Sequence, residues 1–372
     1  LSTKRKVHLA GTGAFLPGEP IPFDRAQEVL GEIPGAPERI RRWMESMQPV
    51  MREILGIEHV HYALDPVTRT FTEDNITMSV KAARKALEAA NLAPADIGLI
   101  CYGSAHQDQM PTASVRIQEA LGIEACAELS IHANCTSAYK ALYLAHRLLE
   151  AGEYDTALVV SSGISSSELM GEYFNPAKLD KESLFLRWFL GDGAGAVVLT
   201  TDAGKAREWV VEYTYIESIG GRRPSLMFND RPAWWMNPRD EYEAGAHHLK
   251  QRFRNELATG IFQEEGGSVF FNGLRRMLDK AGIDPGEIRW LQVNLPARHI
   301  VEAVLEEVAT LGIPREALYA PLDRLGYAGP PMTFIGLDAL VRGEAPRPGD
   351  RVVSFVTEVS KFMQAGYSIR HE

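Results

Sequence analysis

"LEAANLAPADIGLI" at residues 87–100 and "LDKAGIDPGEIRWL" at residues 278–291 match at a constant offset of 191, sharing Leu, Ala, Pro and Ile with an acidic residue before the Ile. Each copy reads as the end of a helix, a Pro-containing turn and a buried strand. A second pair, "EYDTALVVS" near 153–161 and "RPGDRVVSF" near 347–355, follows in the same order at an offset of 195. Two matches in one order predict an internally duplicated fold. Around them, strand-like runs such as "IGLICYGSA", "TALVVSSG" and "GAVVLTT" alternate with helical stretches such as "ITMSVKAARKALEAANL". That alternation predicts α/β layers whose central strands are covered on both faces. No low-complexity linker separates the copies, and the expected halves are residues 1–200 and 201–372.

Composition narrows the function. The 372 residues are 45% hydrophobic and 24% charged, the balance of a globular protein with a substantial core. A formal charge of −10 argues against a nucleic-acid backbone as the main partner. The sequence contains no apolar run of membrane-spanning length, and its "LSTKRKVHLAGTG" start lacks a secretory apolar region, so a cytoplasmic protein is expected. Cys101, Cys126 and Cys135 are too few and too irregularly spaced for a disulfide framework, and no CxxC pair suggests a metal.

One cysteine stands apart. In "SIHANCTSAYKALYLAHRLLEAGEYDTALVVSSG" (130–163), Cys135 lies between a strand-like run and a helix that Thr136 and Ser137 can open. A lone cysteine is ordinarily a buried structural residue. A thiol at a helix N-terminus instead meets the positive end of the macrodipole and free backbone N–H groups, which favour thiolate and can hold an oxyanion. Cys101, inside an apolar strand, and Cys126 lack that setting. The 195-residue offset further sets Cys135 opposite Pro330 in "LGYAGPPMTF", so Cys135 is expected where the halves meet, near a loop carrying Tyr327.

The cysteine elbow, "FLGDGAGAVVL" (189–199), "GGSVFFNGLRRMLDKAGIDPGEIRWLQVN" (266–294) and "LDALVRGEAPRPGDRVV" (337–353) together resemble the β-ketoacyl-ACP synthase III group of the thiolase superfamily over most of the chain. The resemblance implies a thiolase-like fold of two duplicated halves in α/β/α/β/α layers, a homodimer, and acyl-CoA or acyl carrier protein as partner. It implies no tightly bound cofactor and no metal; the CoA or phosphopantetheine thioester is the substrate. The family works with Cys, His and Asn, the last two assisting malonyl decarboxylation. Here the position resembling the His holds Asn294 and that resembling the Asn holds Tyr327. The family's Gly-rich loop near the nucleophile is replaced by "FVTEVSKFMQAG" (355–366), with Glu358 and Lys361 and no Gly before Gly366. "GDGAGA" alone reads as a tight turn into a buried strand and is assigned no catalytic role.

These departures leave covalent catalysis open. Asn294 can donate to a developing oxyanion and Tyr327 can donate or relay a proton, though neither replaces His as a base; both can equally fill a remodelled pocket. Among the histidines, His132 reads as a core residue on the strand, and His247 and His248 as a helix surface. Arg298 and His299 open a second-half helix, where they can bind a phosphate or simply be solvated. The segments "RIRRWMESMQPVMREILGI" (39–57) and "RPSLMFNDRPAWWMNP" (223–238) are rich in Met, Trp and Arg, as suits either core or an entrance for an apolar acyl chain. The expected function is acyl transfer from CoA or carrier protein through a Cys135 thioester, in specialised, polyketide- or fatty-acid-related metabolism. The alternatives are a divergent decarboxylating β-ketoacyl synthase and a non-catalytic partner subunit that binds acyl carriers.

Overall fold

The computed structural model describes residues 4–106, 110–204, 208–232, 234–252 and 260–372. The first matched pair folds as read. Helix Asn75–Ala90 is opened by a capping box between Asp74 and Thr77 and ends at Asn91 in the left-handed conformation (φ 54°). A 3₁₀ turn at Pro94–Asp96 then leads into a strand at Leu99–Ser104. In the second half, Ser268 caps helix Val269–Ala281 and Gly282 ends it (φ 65°). There the turn is Pro285–Glu287 and the strand Trp290–Val293.

Among the described residues, ten strands make the main sheet. In chain order they are β1 (His8–Phe15), β2 (Leu99–Ser104), β3 (Ala127–His132), β4 (Thr156–Ile164), β5 (Asp192–Thr200), β6 (Trp209–Ser218), β7 (Trp290–Val293), β8 (Leu318–Tyr319), β9 (Arg351–Glu358) and β10 (Met363–His371). Their spatial order is β8-β7-β9-β10-β6-β1-β5-β4-β2-β3. Read outward from the β1–β6 seam, both halves follow one plan. β4 and β3 flank β2 in parallel, β5 runs antiparallel between β4 and β1, and β6–β10 repeat every one of these relations. The duplication predicted from two short matches is therefore the topology of the whole sheet.

The layers follow from which faces are apolar. Helix Asn75–Ala90 and Ala113, Ile117 and Leu121 of helix Ala113–Leu121 cover the outer face of the first half. Helix Val269–Ala281 covers the outer face of the second. Between the halves lie helices Ser137–Ala151 and Met332–Gly343, whose Tyr139, Leu142, Phe334 and Leu337 share one core with Val159, Val197, Val352 and Tyr367. The glycines of "GDGAGA" serve this packing. A Cβ on Gly195 would stand 2.6 Å from Phe334 Cβ, so only glycine lets the second central helix lie on β5. Asp192 of the same motif is fully buried, accepting from the Ala63 and Ser166 N–H groups and the Ser166 hydroxyl. Its place is structural.

Candidate active site

β3 ends at His132, the chain bends through Ala133 and Asn134, and Cys135 and Thr136 turn into the central helix Ser137–Ala151. Ser137 N–H donates to Asn134 C=O at 2.9 Å, which tightens the elbow. Gly103 on β2 makes room for it, since a Cβ there would sit 2.3 Å from the Ser137 carbonyl oxygen. Thr136 does not cap the helix with its own side chain. The cap comes from the other half of the molecule, where Glu358 at the end of β9 accepts the Thr136 N–H at 2.8 Å and the Thr136 hydroxyl at 2.6 Å.

That carboxylate changes the chemistry expected of Cys135. The helix terminus was expected to favour thiolate; instead burial, and then the charge of Glu358, push the thiol up to about 12. A hydrogen bond from Tyr327 works in the opposite direction with less effect. Cys135 is thus a protonated thiol at neutral pH and must lose its proton as it attacks. Cys101 is also pushed up to about 12, by burial alone. All three cysteines are free.

The second half brings Tyr327 to the sulfur and Asn294 to the cavity that the sulfur lines. Tyr327 is buried, its ring 5.9 Å from that of Phe189, and its hydroxyl lies 3.7 Å from Cys135 Sγ. Burial, and then Cys135, hold the phenol well above its ordinary range, so it stays a proton donor. Asn294 follows β7 and is 4% exposed, yet neither its amide nitrogen nor its amide oxygen finds a hydrogen-bond partner among the described residues. Such a group costs free energy to bury. Cys135, Tyr327, Asn294 and Glu358 all line one cavity of about 2000 Å³.

Both Met- and Trp-rich segments reach this cavity. Met47 and Met51 come from helix Glu38–Leu55; Met227, Trp234 and Trp235 come from the second segment. His299 lines it as well, with Nδ1 3.2 Å from the Ile54 carbonyl oxygen. Arg298 is not among the lining residues; its guanidinium donates to the Gly56 carbonyl beyond the C-terminus of helix Glu38–Leu55. Other histidines differ from their sequence reading. His132 is an exposed strand end on the cavity wall, not a packed core residue. His247 and His248 are buried rather than on a helix surface, His247 Nε2 bonding the Tyr173 carbonyl at 2.8 Å and His248 Nε2 accepting the Asn175 N–H at 3.0 Å.

The replacement for the Gly-rich loop is a tight connection between β9 and β10, which pair from Arg351↔Arg370 to Glu358↔Met363. Glu358 entered the sequence reading only as a mark of that replacement. The signal for its position was nonetheless present. Along "RVVSFVTE", Val352 and Val356 face the central core and Val353 and Phe355 the outer one, so strand alternation sets Glu358 on the central side. Among the described residues there is no group of three or more His, Cys, Asp or Glu side chains suited to a metal, and no helix long and apolar enough to cross a membrane.

The doubled strand order with a cysteine elbow opening a central helix defines a thiolase-fold protein. Comparison with known proteins agrees. Residues 129–216 match the family model for 3-oxoacyl-[acyl-carrier-protein (ACP)] synthase III. A β-ketoacyl-[acyl-carrier-protein] synthase III of Rhizorhabdus wittichii is 28% identical over 94% of both chains. Among solved structures, AbyA1, a tetronic acid condensing enzyme, superposes with a TM-score of 0.75 at 18% identity, covering 98% of this chain and 99% of its own. Xanthomonas campestris OleA with bound lauric acid and lauroyl-CoA gives the same score, identity and coverage. The Aquifex aeolicus 3-oxoacyl-[acyl-carrier-protein] synthase III gives 0.73 at 19% identity, covering 98% and 100%. The chain thus has the thiolase fold and is similar to β-ketoacyl-ACP synthase III over nearly its whole length.

Proposed function

We propose that this protein is an acyltransferase that takes an acyl group from CoA or an acyl carrier protein onto Cys135 and passes it to an acceptor other than a malonyl carbanion. The observation that carries this reading is the company of the sulfur. Cys135 opens on a large, mostly apolar cavity with a phenol at 3.7 Å and an unpartnered amide on the wall. No histidine hydrogen-bonds Cys135 among the described residues. An acyl chain fits an apolar cavity of this size. The Asn294 amide N–H is free to take the thioester oxygen as it becomes an oxyanion, and the Tyr327 hydroxyl can donate a hydrogen bond to the Cys135 sulfur. Decarboxylation would also need a donor placed for an enolate, and imidazole has been exchanged for a weaker neutral amide. The protein works in this reading as a cytoplasmic homodimer in specialised metabolism, its two halves dividing at residue 200. His299, on the cavity wall, would meet the carrier's phosphate.

Intact-protein mass spectrometry after incubation with acyl-CoAs and acyl carriers tests the reading. Wild type, Cys101→Ala and Cys126→Ala should gain one acyl mass, and Cys135→Ala none. An undiminished adduct on Cys135→Ala would remove the nucleophile assignment. Rapid release of labelled carbon dioxide from a malonyl thioester, coupled to a β-keto product, would replace acyl transfer by the divergent ketosynthase.

A further inference from the structure

Glu358 is 1% exposed, and among the described residues no Lys, Arg or His pairs with its carboxylate. A buried carboxylate without a counter-ion is expensive, and such groups concentrate where chemistry requires them. Its three hydrogen bonds come from neutral donors: the Thr136 N–H and hydroxyl on Oε2, and the Ser360 hydroxyl on Oε1. Thr136 follows Cys135 directly, so the carboxylate is held at the nucleophile's own helix start, close enough for its charge to act on the thiol. A cap alone does not call for this arrangement, because a threonine or serine at the helix start caps it without a charge from another half of the molecule. In the same cavity, the unpartnered Asn294 amide marks the place for a carbonyl oxygen.

We propose that Glu358 is the general base of this site, taking the proton of the Cys135 thiol and returning it to the departing sulfur. The proposal rests on the acyl-transfer reading above. In acylation, Cys135 Sγ forms a bond to the thioester carbonyl carbon while its proton passes to the Glu358 carboxylate. The bond from that carbon to the carrier sulfur then breaks, and the carrier thiolate leaves with the proton from Glu358. In transfer, an acceptor thiol, hydroxyl or amine attacks the acyl-Cys135 carbon, its proton passes to Glu358, and Cys135 leaves and is reprotonated. Charge and atoms balance in both steps without an oxidant or a metal. A carboxylate thereby does the work for which a histidine is lacking, and it arrives on the strand that replaces the family's glycine-rich loop.

Octanoyl-CoA with pantetheine as acceptor is a sufficient probe, because exchange between them runs both half-reactions. Glu358→Gln keeps an oxygen for both Thr136 donors and an amide for the Ser360 hydroxyl, so its thermal midpoint should stay within about 2 °C of wild type. Its rates of octanoyl-Cys135 formation and of exchange should fall by roughly 10²–10⁴-fold. Rates within about threefold of wild type, or faster, overturn the role of Glu358 while leaving the acyl-transfer reading intact. A wild type that takes no octanoyl mass overturns that reading and the base with it. Should the variant not fold, the wild type decides. Proton transfer to a neighbouring carboxylate holds the exchange rate level from about pH 7 to 9, whereas attack by free thiolate raises it roughly tenfold per pH unit and refutes the proposal.

Discussion

Replacing Asn294 by leucine should make the protein more stable and less active at once. The residue is 4% exposed and both ends of its amide lack partners among the described residues, so the folded state carries the desolvation of two polar groups. Each such group costs about 1–3 kcal/mol. Because Asn294 borders the cavity, solvent recovers part of that sum, and a net gain of about 2 kcal/mol on substitution is expected once the added apolar burial is included. For a chain of 372 residues, an unfolding entropy of about 2.1 cal/mol/K per residue converts this gain into a rise of about 2–3 °C in melting temperature. Loss of an oxyanion donor should lower acyl transfer by about 10²–10³-fold. Differential scanning calorimetry at neutral pH, paired with octanoyl exchange between CoA and pantetheine, measures both. A lower melting temperature would mean that the amide is satisfied in the folded protein, and unimpaired exchange would mean that it does not meet the acyl oxygen; either refutes the reasoning.

Two further predictions concern the framework. His146 is buried beside Thr214 in the central layer, and burial drives its pKa down to about 4. Below about pH 6.5 the unfolded chain takes a proton that the folded one refuses, so this residue's contribution to stability is lost as pH falls from 6.5 to 4. Denaturant titrations at pH 7 and pH 5 should show His146→Gln losing about 2 kcal/mol less than wild type between those values, and equal losses would count against the assignment. The comparison with wild type matters because His248 acts in the same direction, whereas Asp192, raised to about 6, favours the folded state more as pH falls. Gly103→Ala should push back the Ser137 carbonyl, costing about 1–3 kcal/mol in denaturant stability and slowing Cys135 acylation; a silent substitution would show that the elbow is not held by β2.

What could be read in the chain was what is local or repeated. The pairing of residues 87–100 with 278–291 carries the helix–turn–strand unit of both halves, and the strand-to-helix change around Cys135 carries the elbow. The environments of individual polar side chains were less legible, because they are set by segments far apart in sequence. His247 and His248 look like surface residues until Tyr173 and Asn175 fold over them. The thiol of Cys135 looked activated because the helix start was visible and the carboxylate 223 positions later was not known to sit upon it. His132 follows strand alternation but stands at the strand's open end, where the pattern no longer decides burial.

The identical strand plan on either side of the seam has a consequence for how such a site can change. Each half presents an elbow that feeds a helix into the shared middle layer, but one sulfur is enough, so the second elbow is a spare copy. In this chain that spare copy has been rewritten as Ala328–Met332, with two prolines leading into helix Met332–Gly343 and Tyr327 just ahead of it. One twin can keep the nucleophile while the other drifts through new pocket chemistries. Ancestry by doubling thus gives this architecture a built-in place for experiment that leaves the reacting atom where it is.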